Sequence, residues 1–258
     1  MSPIWRGGWA DEPDGSDCGG IVMLRVATVA GERGVFCLER GEEREESPFL
    51  FVGSEAGRVG ERAQVLLALA DPVERAPGDA VAARAIIDGL CGEIDGRDPE
   101  EVIGALHAAY AGLSRWLLGQ NRANAGGRKI FLGLTCVVGC GDDLFIAQVP
   151  PGQALIRQDG RLYAFPRLRS WLPTFQPSRT YELPNPLGLR EVTEPQVYYS
   201  RVVPGDLLAV VSSSIAARLE PLEDEIRDAA GVADALDTVS DLCDRHGLAS
   251  GEAGIVLV

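Results

Sequence analysis

Asp71 ends an apolar run, Val65-Leu66-Leu67-Ala68-Leu69-Ala70, and is followed at once by Pro72. Ser212-Ser213-Ser214 ends a second run, Leu207 to Val211, and Glu252 stands just before a third, which closes on Val258. Carboxylates gathered at the ends of buried strands are natural oxygen ligands for hard divalent cations. A pair of such ions can activate a water and clamp a phosphate. One carboxylate alone can instead cap a local turn, which is the simpler reading of Asp71. The serines offer a similar choice between nucleophile and cap. No Gly-x-Ser-x-Gly elbow surrounds them, so they read as the cap of a helix that begins near Ser213.

Other chemistries find little support. His107 and His246 are the two candidate bases. His107 falls beside the apolar stripe of a predicted helix, and His246 precedes Gly247, where a helix C-terminus accounts for it. There is no P-loop and no Gly-x-Gly-x-x-Gly fingerprint. The six cysteines include no Cys-x-x-Cys pair and have too few histidines beside them for a zinc site, so they read as reduced, buried thiols of a cytoplasmic protein. Cys136 and Cys140 share one face of a predicted strand. A net charge of -14 repels nucleic acid and anionic lipid, and its plain meaning is solubility. Lys129 is the single lysine among many arginines, and no function follows from it. No signal peptide opens the sequence and no apolar run is long enough to span a bilayer.

The elements that must position these residues follow from periodicity. With 46% hydrophobic residues the chain can build a real core. Residues 1–20, rich in Gly, Asp and Pro, read as an N-terminal arm tied down by Trp5 and Trp9, and 21–258 read as one domain. Strands are predicted at 21–30, 34–39, 49–52 and 64–70, with a solvated, charge-dense turn at 39–46. A helix follows, capped by Asp79 and striped with Val81, Ala82, Ile86, Leu90 and Ile94. A second helix starts near Asp98 with Val102, Leu106, Tyr110, Leu113 and Leu117 inward, and Asn121 to Gly127 is a loop. Strands recur at 130–139, 143–149, 153–158 and 161–165, with hairpin signals at Gly141-Asp142-Asp143 and Gln158-Asp159-Gly160. Residues 166–189 read as a surface excursion carrying Trp171 and Phe175. Strands at 196–203 and 207–212, a short helix from Ser213, a longer helix striped with Val232, Leu236, Val239 and Cys243, and a final strand at 254–258 complete the chain. The pattern predicts an α/β (α+β) sandwich with helices on its outer faces.

Three segments, taken in order, carry a resemblance. They are Val65 to Pro72 with Gly78-Asp79-Ala80-Val81-Ala82; Gly133-Leu134-Thr135-Cys136-Val137-Val138 with Leu144 to Ala154; and Pro204 to Ile215. Over roughly residues 44–258 the chain resembles the type 2C, metal-dependent (PPM) protein phosphatases. Their motifs run Asp-Gly-x-Gly-Gly, Gly-Ala-Thr, Gly-Asp-Ser-Arg, Ser-Asp-Gly and Asp-Asn-x-Thr. The resemblance implies two mainly antiparallel β-sheets flanked by helix pairs. It places Arg44 where the family keeps a phosphate-binding arginine, and Phe49 where it keeps a metal-ligand Asp. Asp71 matches the Asp of Asp-Gly, while Pro72, Glu74 and Arg75 replace the glycines. Pro150-Pro151-Gly152-Gln153 stands for Gly-Asp-Ser-Arg and Ser212-Ser213-Ser214 for Ser-Asp-Gly. Gly251-Glu252-Ala253-Gly254 stands for the closing motif, with Glu252 near the ligand position. The frame is kept and most of its acids are gone.

The expected function is therefore a catalytically inactive PPM-like phosphatase domain, a pseudophosphatase that acts as a binding or regulatory module in protein-phosphorylation signalling. Its remnant-site positions are Arg44, Phe49, Asp71, Ser213 and Glu252, expected to converge on one cleft between two sheets. It has no catalytic residue and no metal, and its partner is a phosphoprotein, a kinase or an adjacent domain. Arg44 reads more simply as a solvated partner of Glu45 or Glu46. The alternative is an active metal-dependent serine/threonine phosphatase using Mg²⁺ or Mn²⁺ on a remodelled site of Asp71, Glu252 and Glu74 or Asp79. A third possibility is a different α/β sandwich with an unrelated pocket. On the first reading Asp71→Ala is expected to be nearly neutral for stability.

Overall fold

The computed structural model describes residues 32–53, 61–76, 78–124, 126–166, 185–219 and 223–258. In chain order the elements are β1 (Arg33–Glu39), β2 (Glu42–Glu43), β3 (Leu50–Val52), β4 (Gln64–Pro72), α1 (Asp79–Ile94), a 3₁₀ turn (Pro99–Glu101), α2 (Val102–Ala123), β5 (Leu132–Cys140), β6 (Asp143–Val149), β7 (Gln153–Gln158), β8 (Arg161–Phe165), β9 (Gln196–Arg201), β10 (Leu207–Val211), α3 (Ser213–Ala216), α4 (Glu223–Asp228), α5 (Val232–His246) and β11 (Ser250–Leu257). The expected arm at 1–20, the strand at 21–30, and Trp171 and Phe175 lie outside the described residues.

Two antiparallel sheets stack face to face. One has the order β2-β1-β11-β10-β7-β8, the other β3-β4-β5-β6-β9. Strand alternation sorts the side chains into three apolar layers. Leu134, Cys136 and Val138 of β5 face outward onto Ile86, Leu90, Leu106 and Tyr110 of α1 and α2. Leu207, Ala209, Ala253 and Ile255 face outward on the other side, onto Ile215, Val232, Leu236 and Val239. Leu67, Leu69, Val137, Ile146, Leu208, Val210 and Val256 meet between the sheets. The result is a helix–sheet–sheet–helix sandwich. A bulge between Val65 and Leu67 resets the phase of β4, so that Leu66 joins the inner layer beside Leu67.

The helices form for ordinary reasons. Ile86, Ile87, Leu90 and Ile94 are buried at helical spacing on α1. Tyr110 of α2 is fully buried, and its hydroxyl donates to the Ala147 carbonyl at 2.8 Å. α5 ends at His246 with Gly247 in the left-handed region, φ 58°. Some expectations are corrected. Val81 is 78% exposed and lies off the α1 stripe. The N-cap of α1 is Gly78, not Asp79, whose Oδ2 accepts the Ala76 N–H at 2.8 Å. α2 continues through Ala123 because Asn121 is buried and anchors its end, donating to the Ile130 and Gly188 carbonyls and accepting the Ile130 N–H. α4 and the two-residue strand β2 were not predicted. Among the described residues, no helix is long and apolar enough to cross a membrane.

Close approach of the sheets depends on Gly254. A Cβ there would lie 3.0 Å from both Leu50 Cδ1 and Val52 Cγ2 and 3.2 Å from Leu67 Cδ2. Gly254→Val should therefore destabilise the protein by about 1–3 kcal/mol through overpacking, measured by urea unfolding. Combining it with Leu67→Ala should cost less than the sum of the two single changes, since the new methyls enter the space the leucine leaves. Strict additivity would show that the sheets do not close at Gly254.

Candidate functional site

Asp71 continues the inward phase of Leu67 and Leu69 on β4, and Glu252 that of Gly254 and Val256 on β11. The two acids thus come from different sheets and reach one end of the inner layer. Both are buried, at 4% and 1% exposure. Asp71 Oδ2 accepts the Ser213 N–H at 2.7 Å. Ser213 is the first residue of α3, so the helix that follows β10 is capped by an acid from the opposite sheet. This corrects two expectations. Asp71 caps no local turn; its partner lies 142 residues away. Ser212, at the N-cap position, makes no side-chain cap. Its hydroxyl accepts the Glu252 N–H at 2.9 Å and lies 3.0 Å from Ser214 Oγ, while its own N–H donates to the Glu252 carbonyl at 2.9 Å.

The charge that meets these acids is Arg75, in the turn after β4. Its Nη2 donates to Glu252 Oε2 at 2.7 Å, and Oε1 of the same carboxylate lies 2.6 Å from that nitrogen, in ion-pair contact but out of hydrogen-bond alignment. The guanidinium carbon stands 4.3 Å from the centre of the Phe49 ring, a cation–π stack. The Arg75 side chain is 28% exposed, so it closes the site from the solvent side. The guanidinium pairs with Glu252, and its charge also reaches Asp71 through space. Burial pushes the Asp71 carboxyl up from its ordinary range, and the Ser213 hydrogen bonds and Arg75 pull it partly back. Burial likewise raises Glu252; Arg75 opposes the rise and the nearby Asp71 charge adds to it. Cys37, opposite Glu252 in the β1–β11 pairing, has its thiol raised to about 11 by burial and by the Glu252 charge, so it stays protonated.

Above this network lies a cleft of about 450 Å³, lined among others by Ser47, Phe49, Arg75, Ser250, Glu252 and Arg40. Of the sequence-predicted positions, Phe49, Asp71, Ser213 and Glu252 come together at this end of the fold. Arg44 does not join them. It is exposed just after β2, where Nη2 pairs with Glu42 at 2.7 Å and Nε lies 4.0 Å from Glu39, not with Glu45 or Glu46. Glu74 is exposed, and Asp79 is engaged with Arg128 Nη1 at 2.7 Å. Gly251 turns to the opposite face of β11, where an added Cβ would lie 3.0 Å from the Ile215 side chain, away from Asp71 and Glu252. Sequence reasoning passed over Arg75 as a lost glycine. The available signal was a cation placed four residues after the surviving acid.

The metal pair implied by the resemblance does not fit these residues. Phe49 offers no oxygen, one oxygen of Asp71 is used by Ser213, and Glu252 already holds a tethered cation. Among the described residues no three acidic, imidazole or thiol side chains gather into a cation cage.

Neither a protein-family model nor a curated protein matches the chain by sequence. Its fold does match solved structures. PppA, a key regulatory component of T6SS in Pseudomonas aeruginosa, superposes with a TM-score of 0.68 at 15% identity over 88% of this chain and 97% of that one. The Mycobacterium tuberculosis serine/threonine phosphatase PstP gives 0.66 at 18% identity, covering 87% and 96%. The catalytic domain of PstP in complex with two manganese ions gives 0.64 at 17%, covering 86% and 98%. The fold is that of the PPM-type serine/threonine phosphatases.

Asp71→Ala should not be neutral, as first expected. It leaves the Ser213 N–H without its acceptor, and a loss of about 0.5–2 kcal/mol in urea unfolding should follow. The pH dependence has a definite sign. A carboxyl whose folded pKa is raised binds its proton more readily folded than unfolded. Its stabilising contribution is full below the unfolded value and is lost as pH rises through the folded value. Between pH 7.5 and pH 4 the melting temperature of the wild type should therefore gain on that of Asp71→Asn. A gap that stays constant over this range would refute the raised carboxyl.

Proposed function

We propose that this chain is a catalytically inactive phosphatase-fold domain that works as a binding or regulatory module in protein-phosphorylation signalling. Residues 21–258 form the domain and residues 1–20 an arm, in the cytoplasm. Phe49, Asp71, Ser213 and Glu252 are its remnant-site positions, and it uses no metal cofactor. The observation that carries this reading is the Arg75–Glu252 ion pair stacked on Phe49. It stands at the rim where the resemblance implies cation ligands. Two divalent cations would bring a charge of +4 against two carboxylates that already share a guanidinium, and neither repulsion nor lost hydration would be offset.

The role left to such a site is recognition. The cleft joins an apolar wall, Pro48, Phe49, Ala76 and Ala80, to charged groups at Arg40, Glu46 and Arg75. That mixture suits a peptide segment of a partner: a phosphoprotein, a kinase or an adjacent domain. PppA, whose fold this chain shares, is a key regulatory component of T6SS in Pseudomonas aeruginosa, in keeping with such a module.

The test is enzymatic and thermal. The full chain with millimolar Mn²⁺ or Mg²⁺ should hydrolyse neither p-nitrophenyl phosphate nor a phosphopeptide above the metal-free background. A chelator should leave its melting temperature unchanged, because an ion that does not bind cannot stabilise by mass action. Metal-dependent turnover that disappears in Asp71→Asn would overturn the reading in favour of an active phosphatase.

A further inference from the structure

We propose that Thr135 and Gln148 form a closed polar site between the two sheets, and that it holds one structural water. The site is separate from the rim cleft, and it stands whichever way the rim is read.

The inference begins with two polar side chains in an apolar layer. Thr135 and Gln148 are both fully buried. They share the strand phase of Val137 and Ile146, which face the inner layer between the sheets. They also stand directly opposite one another in the β5–β6 pairing. Side chains so placed on antiparallel strands start about 5 Å apart at Cβ and point the same way. Yet among the described residues neither Thr135 Oγ1 nor Gln148 Oε1 has a hydrogen-bond partner. Folded proteins leave few buried polar atoms bare, because each has given up its water for nothing. Two such atoms side by side mark a place where a third group belongs.

The chemistry of that group follows from its neighbours. The Gln148 amide is fixed in orientation. Its Nε2 donates to the Gly152 carbonyl, which can only accept, so Oε1 must find a donor elsewhere. Thr135 carries a donor, but the two side chains make no direct bond. A molecule that accepts from the Thr135 hydroxyl and donates to Gln148 Oε1 satisfies both. Room for it is left by Gly152, where an added Cβ would lie 3.2 Å from Thr135 Oγ1 and 3.0 Å from Leu69 Cδ2. The ligand must be small enough for this space, and it must both donate and accept. Thr135, Gln148, Gly152 and Leu69 are all neutral, so nothing there offsets the burial of a charge. Water meets each of these conditions. Gly152 lies where the chain passes from β6 in one sheet to β7 in the other. Through Gln148 the water thus ties β5 to that crossing.

The experiment is a crystal structure of the full chain at a resolution that orders water, with magnetic relaxation dispersion of the water oxygen to count long-lived internal waters in solution. Wild type should show one water within hydrogen-bond distance of both Thr135 Oγ1 and Gln148 Oε1. Thr135→Val keeps the shape and removes the hydroxyl, and Gly152→Ala fills the space. Each should count one long-lived water fewer than wild type. Thr135→Val should also melt about 2–4 °C lower, since Gln148 Oε1 is then left without its donor. Thr135→Ser, which restores the hydroxyl, should keep the wild-type count. Should Thr135→Val fail to fold, Gln148→Met is counted in its place with the same expected loss of one water. A direct Thr135–Gln148 hydrogen bond in the crystal, a dry gap between them, or a count that Thr135→Val leaves unchanged would each overturn the proposal.

Discussion

Two carboxylates buried at one end of a dry inter-sheet layer are the constraint around which this rim of the molecule is arranged. The layer beneath them, from Leu69 and Val210 down to Leu66 and Val256, is apolar and packed. An ionised acid at its edge is poorly solvated, and the charge must be met locally or given up to a proton. Asp71 is met by the start of α3, and Glu252 by Arg75. Each solution joins segments far apart in sequence. The turn after β4 is held to β11, and the helix after β10 is held to β4. The acids therefore act as clasps between the sheets as well as chemical groups, and this explains why a surviving acid need not mean a surviving metal site.

How much of this could be read from the sequence depended on the range of the interaction. Strand alternation and helical stripes are local, and they located the long strands and the buried faces of α1, α2 and α5. Elements too short to show a period, β2 and α4, left no such trace. Asn121 looked like a loop residue because its type favours loops, while its partners Ile130 and Gly188 are supplied by tertiary structure. The ordered landmarks brought Phe49, Asp71, Ser213 and Glu252 to one end of the fold, since order along the chain encodes which strand ends are neighbours. Partners of those residues were not legible. Nothing near Asp71 announces a backbone donor at Ser213, and nothing near Glu252 announces Arg75. A single step in β11 also matters: Glu252 faces the inner layer while Gly251 faces Ile215, and a motif alignment loose by one residue exchanges the two.

Retention of the fold alongside a changed rim has a structural reason. Of the rim residues only Phe49 belongs to one of the three apolar layers, so substitutions elsewhere on the rim leave most of the core burial untouched. The rim residues are coupled to one another instead. Phe49 supplies a face on which the Arg75 guanidinium lies. Arg75 then supplies a positive charge that Glu252 requires. An arginine without that ring would have less to hold it in place, and the ring without the arginine would leave Glu252 unpaired. The pair makes sense as a unit.

The ion pair also shapes what the cleft can recognise. A metal pair would present strong, hard positive charge to any ligand. Arg75 presents one soft, flat cation whose edge is already turned toward Glu252, beside the apolar surface of Phe49, Pro48 and Ala80. Around it stand Arg40, Glu39 and Glu46, charges of both signs on a chain whose net charge is -14. Such a surface can discriminate among peptide segments by shape and by the placement of charge, because a ligand group that fails to complement these side chains leaves them desolvated and unpaired.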